Sequence, residues 1–364
     1  MRANLLRIQN WYFKHERPIS SISLVVGFAF DAIIFTQVNL FWEGVIISSY
    51  LAIVAVSIIL VHAAENKSSR ITRASKIHFW LINILQFFFG GLLSTFLVSY
   101  FRSSTLGAAW PFLLILMIGI IANETLKKHY ARLTFQISFF FLALFSFAVY
   151  FFPILFHRIG TDVFVVSGFA SLAFLWLFLS GLKFLAKENF KRSRFSLTAS
   201  IITIFLGMNV LYILNLIPPI PLSLKDGGVY HSLYRDADGN YVAEAEAQSW
   251  LHFLYPSPDF HFVPGDTVYA YSAVFSPGQF KTTIIHNWQK YDAPAKTWVT
   301  VNRITLPVSG GRNGGYRTYS VKDDVEEGDW RVNVETIGGQ VIGRLRFTAI
   351  IVGTKPVLET IIKK

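Results

Sequence analysis

The stretch "GDWRVNVETIGGQVIGRLRFTA", residues 328–349, decides how the C-terminal part of this chain is read. Before Gly338-Gly339, Trp330, Val332 and Val334 alternate with Arg331, Asn333 and Glu335; after it, Val341, Leu345, Phe347 and Ala349 alternate with Arg344, Arg346 and Thr348. Successive side chains of a strand leave it on opposite sides, so period-two alternation marks a strand with one buried face. Two such runs across a glycine pair make a hairpin. Working outward, residues 228–234, 266–275, 282–291, 297–307 and 316–322 read as further strands. About seven short strands with regularly spaced turns predict an antiparallel β-sandwich of immunoglobulin-like architecture. The chain has no cysteine, so the Cys–Trp–Cys mark of true immunoglobulin domains is absent. Residues 241–255, "YVAEAEAQSWLHFLY", read as a helix or two short pieces whose Trp250, Leu251, Phe253 and Leu254 pack under the domain or touch the bilayer, with packing the favoured reading.

Upstream, the composition changes. The chain of 364 residues is 53% apolar and 15% charged, against about 25% charged in soluble domains. Seven apolar stretches, 19–38, 41–63, 79–100, 106–123, 132–156, 161–185 and 197–217, each approach the ~20 residues that a helix needs to cross a bilayer. The fourth is the shortest and contains Pro111. The domain plan is a basic interfacial segment 1–18, a transmembrane domain 19–217, a proline-containing junction 218–227, a β-sandwich 228–352 and a tail 353–364. The net charge of +11 lies wholly in the first part: residues 1–217 hold 18 Lys and Arg against 7 Asp and Glu, and residues 218–364 hold 15 of each. That distribution speaks for membrane topology and against a nucleic-acid surface.

Loop charges predict the orientation. Sixteen Lys and Arg fall before the first stretch and in alternate loops (67–76, 127–132 and 183–194), against only Arg102 and Arg158 in the opposite loops. A positive-inside bias of this kind puts the N-terminus in the cytoplasm and the C-terminal domain outside it. Residues 1–40 do not read as a cleaved signal peptide, because the basic and apolar regions are too long and no small-residue cleavage site follows.

The glycine cluster "GGRNGGY", residues 310–316, invites comparison with a phosphate-cradling loop. Such a loop ends in Gly-Lys-Ser/Thr and opens a helix. Here no lysine stands in the cluster and a strand follows, so these glycines are expected to turn the chain.

"HNWQKYD", "TWVTVNRITLPVSGGRNGGYRTYSVK", "GDWRVNVET" and "GQVIGRLRF", in this order, resemble the bacterial family called domain of unknown function 2914, over roughly residues 265–352. The multi-span front with "GFAFD" and the junction "NLIPPIPLSLKDGG" are similar to bacterial membrane proteins that carry this domain at their C-terminus. The resemblance implies an envelope protein and supplies no catalytic residue.

Two sets of residues stand out. His286, Trp288 and Lys290 share one strand face, and Arg312, Tyr316 and Arg317 gather at the glycine turn. Aromatic faces beside arginine forks suit sugars, carboxylates or phosphates. Against that stands a buried tryptophan core, with arginines pairing Asp323, Asp324 or Glu335, and burial takes precedence. Asp31 lies inside the first apolar stretch. There a charge costs at least ~2.5 kcal/mol, so it is expected to be protonated or partnered, with Asn83, Gln86, Gln136, Asn209 and Asn215 as candidates. It reads equally as a proton or substrate site and as a packing hydrogen bond.

His231, His252, His261 and His286 show no zinc spacing, and neither HExxH nor GxSxG occurs. No metal, cofactor or catalytic residue is expected. The expected function is non-enzymatic, with the sandwich recognising an envelope glycan or a membrane or periplasmic protein. The alternative is a transporter or lipid-linked-substrate enzyme using Asp31. Expected partners include the lipid bilayer but no nucleic acid.

Overall fold

The computed structural model describes residues 40–66, 71–102, 106–125, 132–185, 187–246, 257–276, 281–310 and 314–363. The chain divides into a helical unit and a β unit. The helices are α1 (Leu40–Asn66), α2 (Ile71–Arg102), α3 (Leu106–Thr125), α4 (Leu133–Phe156), α5 (Thr161–Leu185) and α6 (Lys187–Ile213).

Five of the six described helices are long and apolar enough to cross a membrane, over Trp42–Ala63, Trp80–Phe101, Leu133–Phe156, Thr161–Leu185 and Phe190–Ile213. Among the described residues the expected count of seven is therefore not reached. The stretch 19–38, with Asp31, lies outside the described residues. In α3 the apolar run over the described side chains is Trp110–Asn123, which counts as a shorter apolar helix. Inside the unit, phenylalanines such as Phe89, Phe96, Phe140, Phe141 and Phe145 are fully buried, while Trp176, Phe184 and Phe195 point outward.

The β unit holds eleven described strands: β1 (Ser223–Tyr230), β2 (Ser232–Arg235), β3 (Tyr241–Glu246), β4 (Asp259–Phe262), β5 (Val268–Phe275), β6 (Lys281–Asp292), β7 (Thr297–Ser309), β8 (Tyr316–Lys322), β9 (Gly328–Thr336), β10 (Val341–Ile351) and β11 (Leu358–Lys363). They form sheets in the orders β1-β5-β8, β4-β10-β9-β6-β7 and β11-β3-β2. Pairing is antiparallel except between β4 and β10, which run parallel. The hairpin read from residues 328–349 is present as β9 and β10. Trp330, Val332, Leu345, Phe347 and Ala349 fill one core with Trp288 of β6, Phe260 and Phe262 of β4, and Val268 and Ala270 of β5.

The other face of β5 packs Tyr271 and Ala273 against Leu233, Ala243 and Ala245 of the third sheet. Strand β5 is thus covered on both sides, which is why "VYAYSAVF" reads as a nearly continuous apolar run.

The strands exceed the expected bounds. β1 begins within the expected junction and β11 lies in the expected tail, where it pairs with β3. Residues 241–246 are strand β3 and not a helix, because β2 and β11 flank them on both sides and that pairing overrides the helical preference of Ala and Glu. Residues 247–256, with Trp250 and His252, lie outside the described residues. At the glycine cluster, Gly315 has φ +89°, and an added Cβ would stand 2.8 Å from the Ala273 carbonyl carbon. A turn conformation closed to other residues is what that position requires.

Candidate functional site

The residues singled out by sequence divide between core, surface and undescribed chain. His286 and Trp288 are 0% exposed. His286 Nε2 lies 2.8 Å from Ser272 Oγ and its Nδ1 2.8 Å from Ser320 Oγ, and Trp288 Nε1 donates to the same Ser320 Oγ at 3.0 Å. Burial lowers the His286 pKa to about 3, so the ring is neutral. This pair is a satisfied polar plug in the core, closed to a ligand. Lys290 turns out to Glu326 on the surface.

Tyr316 packs at the edge of a smaller core cluster. Arg317 donates from Nη1 to the Lys363 carbonyl at 2.8 Å and lies 5.8 Å from the Tyr241 ring centre. Arg312 and Asp31 lie outside the described residues. Of the acids expected to pair with arginine, Glu335 does so, with Arg303 at 3.8 Å, while Asp323 accepts from Thr267 at 2.7 Å. Of the candidate partners for Asp31, Gln86 donates to the Asn123 carbonyl at 3.2 Å, Gln136 Oε1 lies 3.1 Å from His62 Nε2, and Asn209 bonds its own helix at 2.7 Å.

A different site emerges on the outer face of the five-stranded sheet, from the residues that alternate with the core. Register brings Arg346 opposite Arg331 and Arg344 opposite Asn333 between β10 and β9, and Gln289 opposite Arg331 and Asn287 opposite Asn333 between β6 and β9. Arg331 Nε donates to Gln289 Oε1 at 2.6 Å, and Arg344 Nε to Asn333 Oδ1 at 2.7 Å. Asn287 and Asn333 both donate to Glu335 Oε1, at 3.0 and 3.1 Å. Asn287, Asn333 and Glu335 are at most 5% exposed although they sit on the outer face, beside the long arginine side chains. The Arg331 guanidinium stacks 4.4 Å from the Trp298 ring centre, and Trp298 meets Tyr291 at 5.2 Å.

This face is short of negative charge. Burial first, and then the Arg344 and Arg346 charges, lower the Arg331 pKa to about 10 against the opposing effect of Glu335. Burial and then Arg346 also lower that of Arg344. Three guanidiniums crowd together with one buried carboxylate among them, so a bound anion relieves their mutual repulsion. The signal was present in sequence, as the arginines alternating with core residues in "DWRVNVE" and "GRLRF", but there it marked only the face opposite the buried one.

The same β10 residues, Arg344 and Arg346, also line a cleft of about 750 Å³ bounded by Gly227, Gly228, Phe260, Glu246 and Lys363. Strand β4 pairs with β10 only over Thr348–Ile351, so no described strand pairs with residues 344–347 on that side. The cleft is stapled by Glu246. Its Oε1 accepts from the His261 backbone N–H at 2.7 Å and lies 3.1 Å from His231 Nε2, and its Oε2 lies 2.6 Å from His261 Nδ1. His231 stacks on Phe260 at 4.1 Å. Burial alone raises the Glu246 pKa, but the hydrogen bonds from His261 and His231 outweigh it and hold the carboxyl below its usual range. Among the described residues no group of histidines and carboxylates has the arrangement to hold a metal ion.

A helical unit joined to β-sheets with an arginine-crowded outer face defines the molecule by class. Residues 281–349 match the model of the family described as "Protein of unknown function (DUF2914)", so this part of the chain carries that domain. The match contains every residue of the arginine–amide network.

No curated protein matches the chain. Solved structures that it matches include an immunoglobulin-like protein from Pseudomonas aeruginosa, at 12% identity over 36% of this chain and 98% of that one, TM-score 0.20. Others are a beta-glucosidase from Listeria innocua, at 11% identity over 31% and 17%, TM-score 0.19, and the alkylpurine DNA glycosylase AlkC of Pseudomonas fluorescens, at 9% over 84% and 98%, TM-score 0.23. Likeness at these scores transfers neither fold nor activity.

Proposed function

We propose that this chain is a bilayer-spanning bacterial envelope protein whose β unit, an immunoglobulin-like sandwich outside the cytoplasm, binds the carboxylate or phosphate groups of an envelope polymer. The observation that carries the binding reading is the Arg331–Arg344–Arg346 cluster beside Trp298. Guanidinium forks grip planar oxyanions, and a stacked indole gives a sugar ring a flat apolar surface. Two features support the membrane reading. The helices turn large apolar side chains outward, and Lys and Arg concentrate in segments 67–76, 127–132 and 183–194, at or beside alternate helix connections.

The binding test uses the full chain in detergent micelles, with polygalacturonate and polyphosphate as the two probes. Saturable binding is expected, weakened at least tenfold in the Arg331→Gln, Arg344→Gln, Arg346→Gln triple variant. Equal binding by that variant overturns the assignment, and cross-linking of this face to a protein in cells would redirect it to a protein partner. Orientation is tested with single cysteines, which label cleanly because the chain has none. In intact cells a membrane-impermeant maleimide is expected to react with Asn302→Cys and, only after lysis, with Lys187→Cys. The reverse pattern overturns the orientation.

A further inference from the structure

The interior of the helical unit contains two buried ionisable groups at opposite ends of one helix pair. α1 and α4 run antiparallel: the Tyr150 hydroxyl donates to Glu43 Oε2 at one end, and His62 Nε2 meets Gln136 Oε1 at 3.1 Å at the other. Glu43 is 6% exposed and His62 1%. They lie about 28 Å apart along α1 at 1.5 Å per residue.

α2 runs alongside α4 in the same direction, since Phe89 meets Phe139 with ring centres 5.8 Å apart and the Tyr100 hydroxyl donates to the Ser146 carbonyl at 3.1 Å. These two contacts set the levels. Ser94, Thr95 and Ser99 fall between them on α2, and Ser146 stands one helical turn before Tyr150 on α4. Gln86 and Asn123 donate to each other's backbone carbonyls at 3.2 Å, at about the level of Gln136 and His62. Polar groups therefore recur from one end of this apolar bundle to the other.

The hydroxyls in the middle are unusual. Ser94, Thr95, Ser99 and Ser146 are at most 7% exposed, and none of their side-chain oxygens has a hydrogen-bond partner. A serine that only packs in a helix usually bonds the carbonyl one turn back, as Ser138, Ser167 and Ser180 do at 2.7–2.8 Å. Each of these hydroxyls, buried and left open, calls for a small hydrogen-bonding occupant, and water is the one that fits.

We propose that Glu43 and His62 are the two ends of a hydrated proton-exchange track through the helical unit, with these four hydroxyls holding its waters. A proton taken by the Glu43 carboxylate passes to a water on Ser146 and Ser99. Each further water accepts one proton and gives up another, and the His62 imidazole receives the last and releases one at its own end. One proton is transferred and nothing is oxidised or reduced. Ionisable groups retained inside an apolar bundle commonly serve such relays.

The proposal rests on the reading of these helices as bilayer-spanning. The full chain is reconstituted into liposomes containing a pH-sensitive dye, and a potassium diffusion potential is imposed with valinomycin. Insertion is scored separately by resistance to alkaline extraction. Proton uptake at least tenfold above protein-free liposomes is expected, falling to background in Glu43→Gln and several-fold in Thr95→Val, which removes one hydroxyl at constant shape. Extraction by alkali removes both the spanning reading and the track. Inserted protein without proton uptake, or uptake unchanged in both variants, overturns the track and leaves the spanning reading standing.

Discussion

Arg331 of β9 and Arg346 of β10 stand directly opposite each other on one face of an antiparallel pair. Like charges in that relation destabilise a sheet, so the fold carries a local cost at the place where the candidate ligand face lies. Functional sites are where such local conflicts are expected.

Arg346→Glu is therefore expected to separate stability from binding. An opposite-charge pair across the strands contributes roughly 0.2–1 kcal/mol, so hydrogen exchange of the β9 and β10 peptides should slow slightly in the full chain. Binding of polygalacturonate should fall at least tenfold in the same variant. Faster exchange combined with unchanged binding would show that the two arginines serve the fold alone.

The buried His286 predicts an acid sensitivity of definite sign. Its folded pKa is lowered to about 3 by burial, whereas in the unfolded chain it is about 6.5. Between those values only the unfolded state binds the proton. The stability that the neutral ring contributes is complete above the unfolded value and is lost as pH falls through the window, at up to about 1.4 kcal/mol per pH unit. Hydrogen exchange of β5, β6 and β8, corrected for intrinsic rates, should accelerate from pH 6.5 downward. His286→Gln should flatten that dependence even though it lowers stability overall.

The neighbouring glycines of the turn should respond differently. Gly315→Ala places a methyl against the Ala273 carbonyl at positive φ, whereas a Cβ at Gly314 meets nothing within 4 Å. Alanine at 315 is expected to destabilise the β unit by more than about 1 kcal/mol and alanine at 314 to leave it nearly unchanged, read from midpoints of urea unfolding. Equal midpoints for the two variants would contradict the strain at Gly315.

Glu246→Gln should loosen the edge of the cleft. The carboxylate holds the His261 N–H and both imidazoles, and its pKa is held below the usual range, so its contribution is present above the unfolded value and is lost as pH falls through the folded one. At pH 7 the variant should exchange faster at residues 259–262, and the difference from the parent should close as pH is lowered below about 4.

Much of the β unit was legible in the sequence. The period-two runs gave β9 and β10, because each has one face on a core, whereas β5, covered on both sides, showed as a nearly continuous apolar run. The strands that escaped notice had no such signature. β4 is four residues long, β11 is exposed along both faces, and β3 is built of Ala and Glu and is held as a strand by its neighbours on either side.

The candidate site was half legible. Alternation put His286 and Trp288 on one face, but whether that face met solvent depended on β5 and β8 arriving over it from Ser272 and Ser320. In the helices, the apolar stretch 41–63 already contained Glu43 and His62. Their partners Tyr150 and Gln136 are 107 and 74 residues away.

By itself the sequence determined the division into an apolar helical part and a β part, most strand positions, the charge asymmetry of the loops and the turning role of the glycines. Each of these follows from side-chain chemistry repeated at short range. The tertiary structure alone decided which arginines face one another, which histidine is sealed in a core, and which polar groups share a helix interior. Those depend on strand register and helix neighbours, which are set by contacts between residues far apart in the chain.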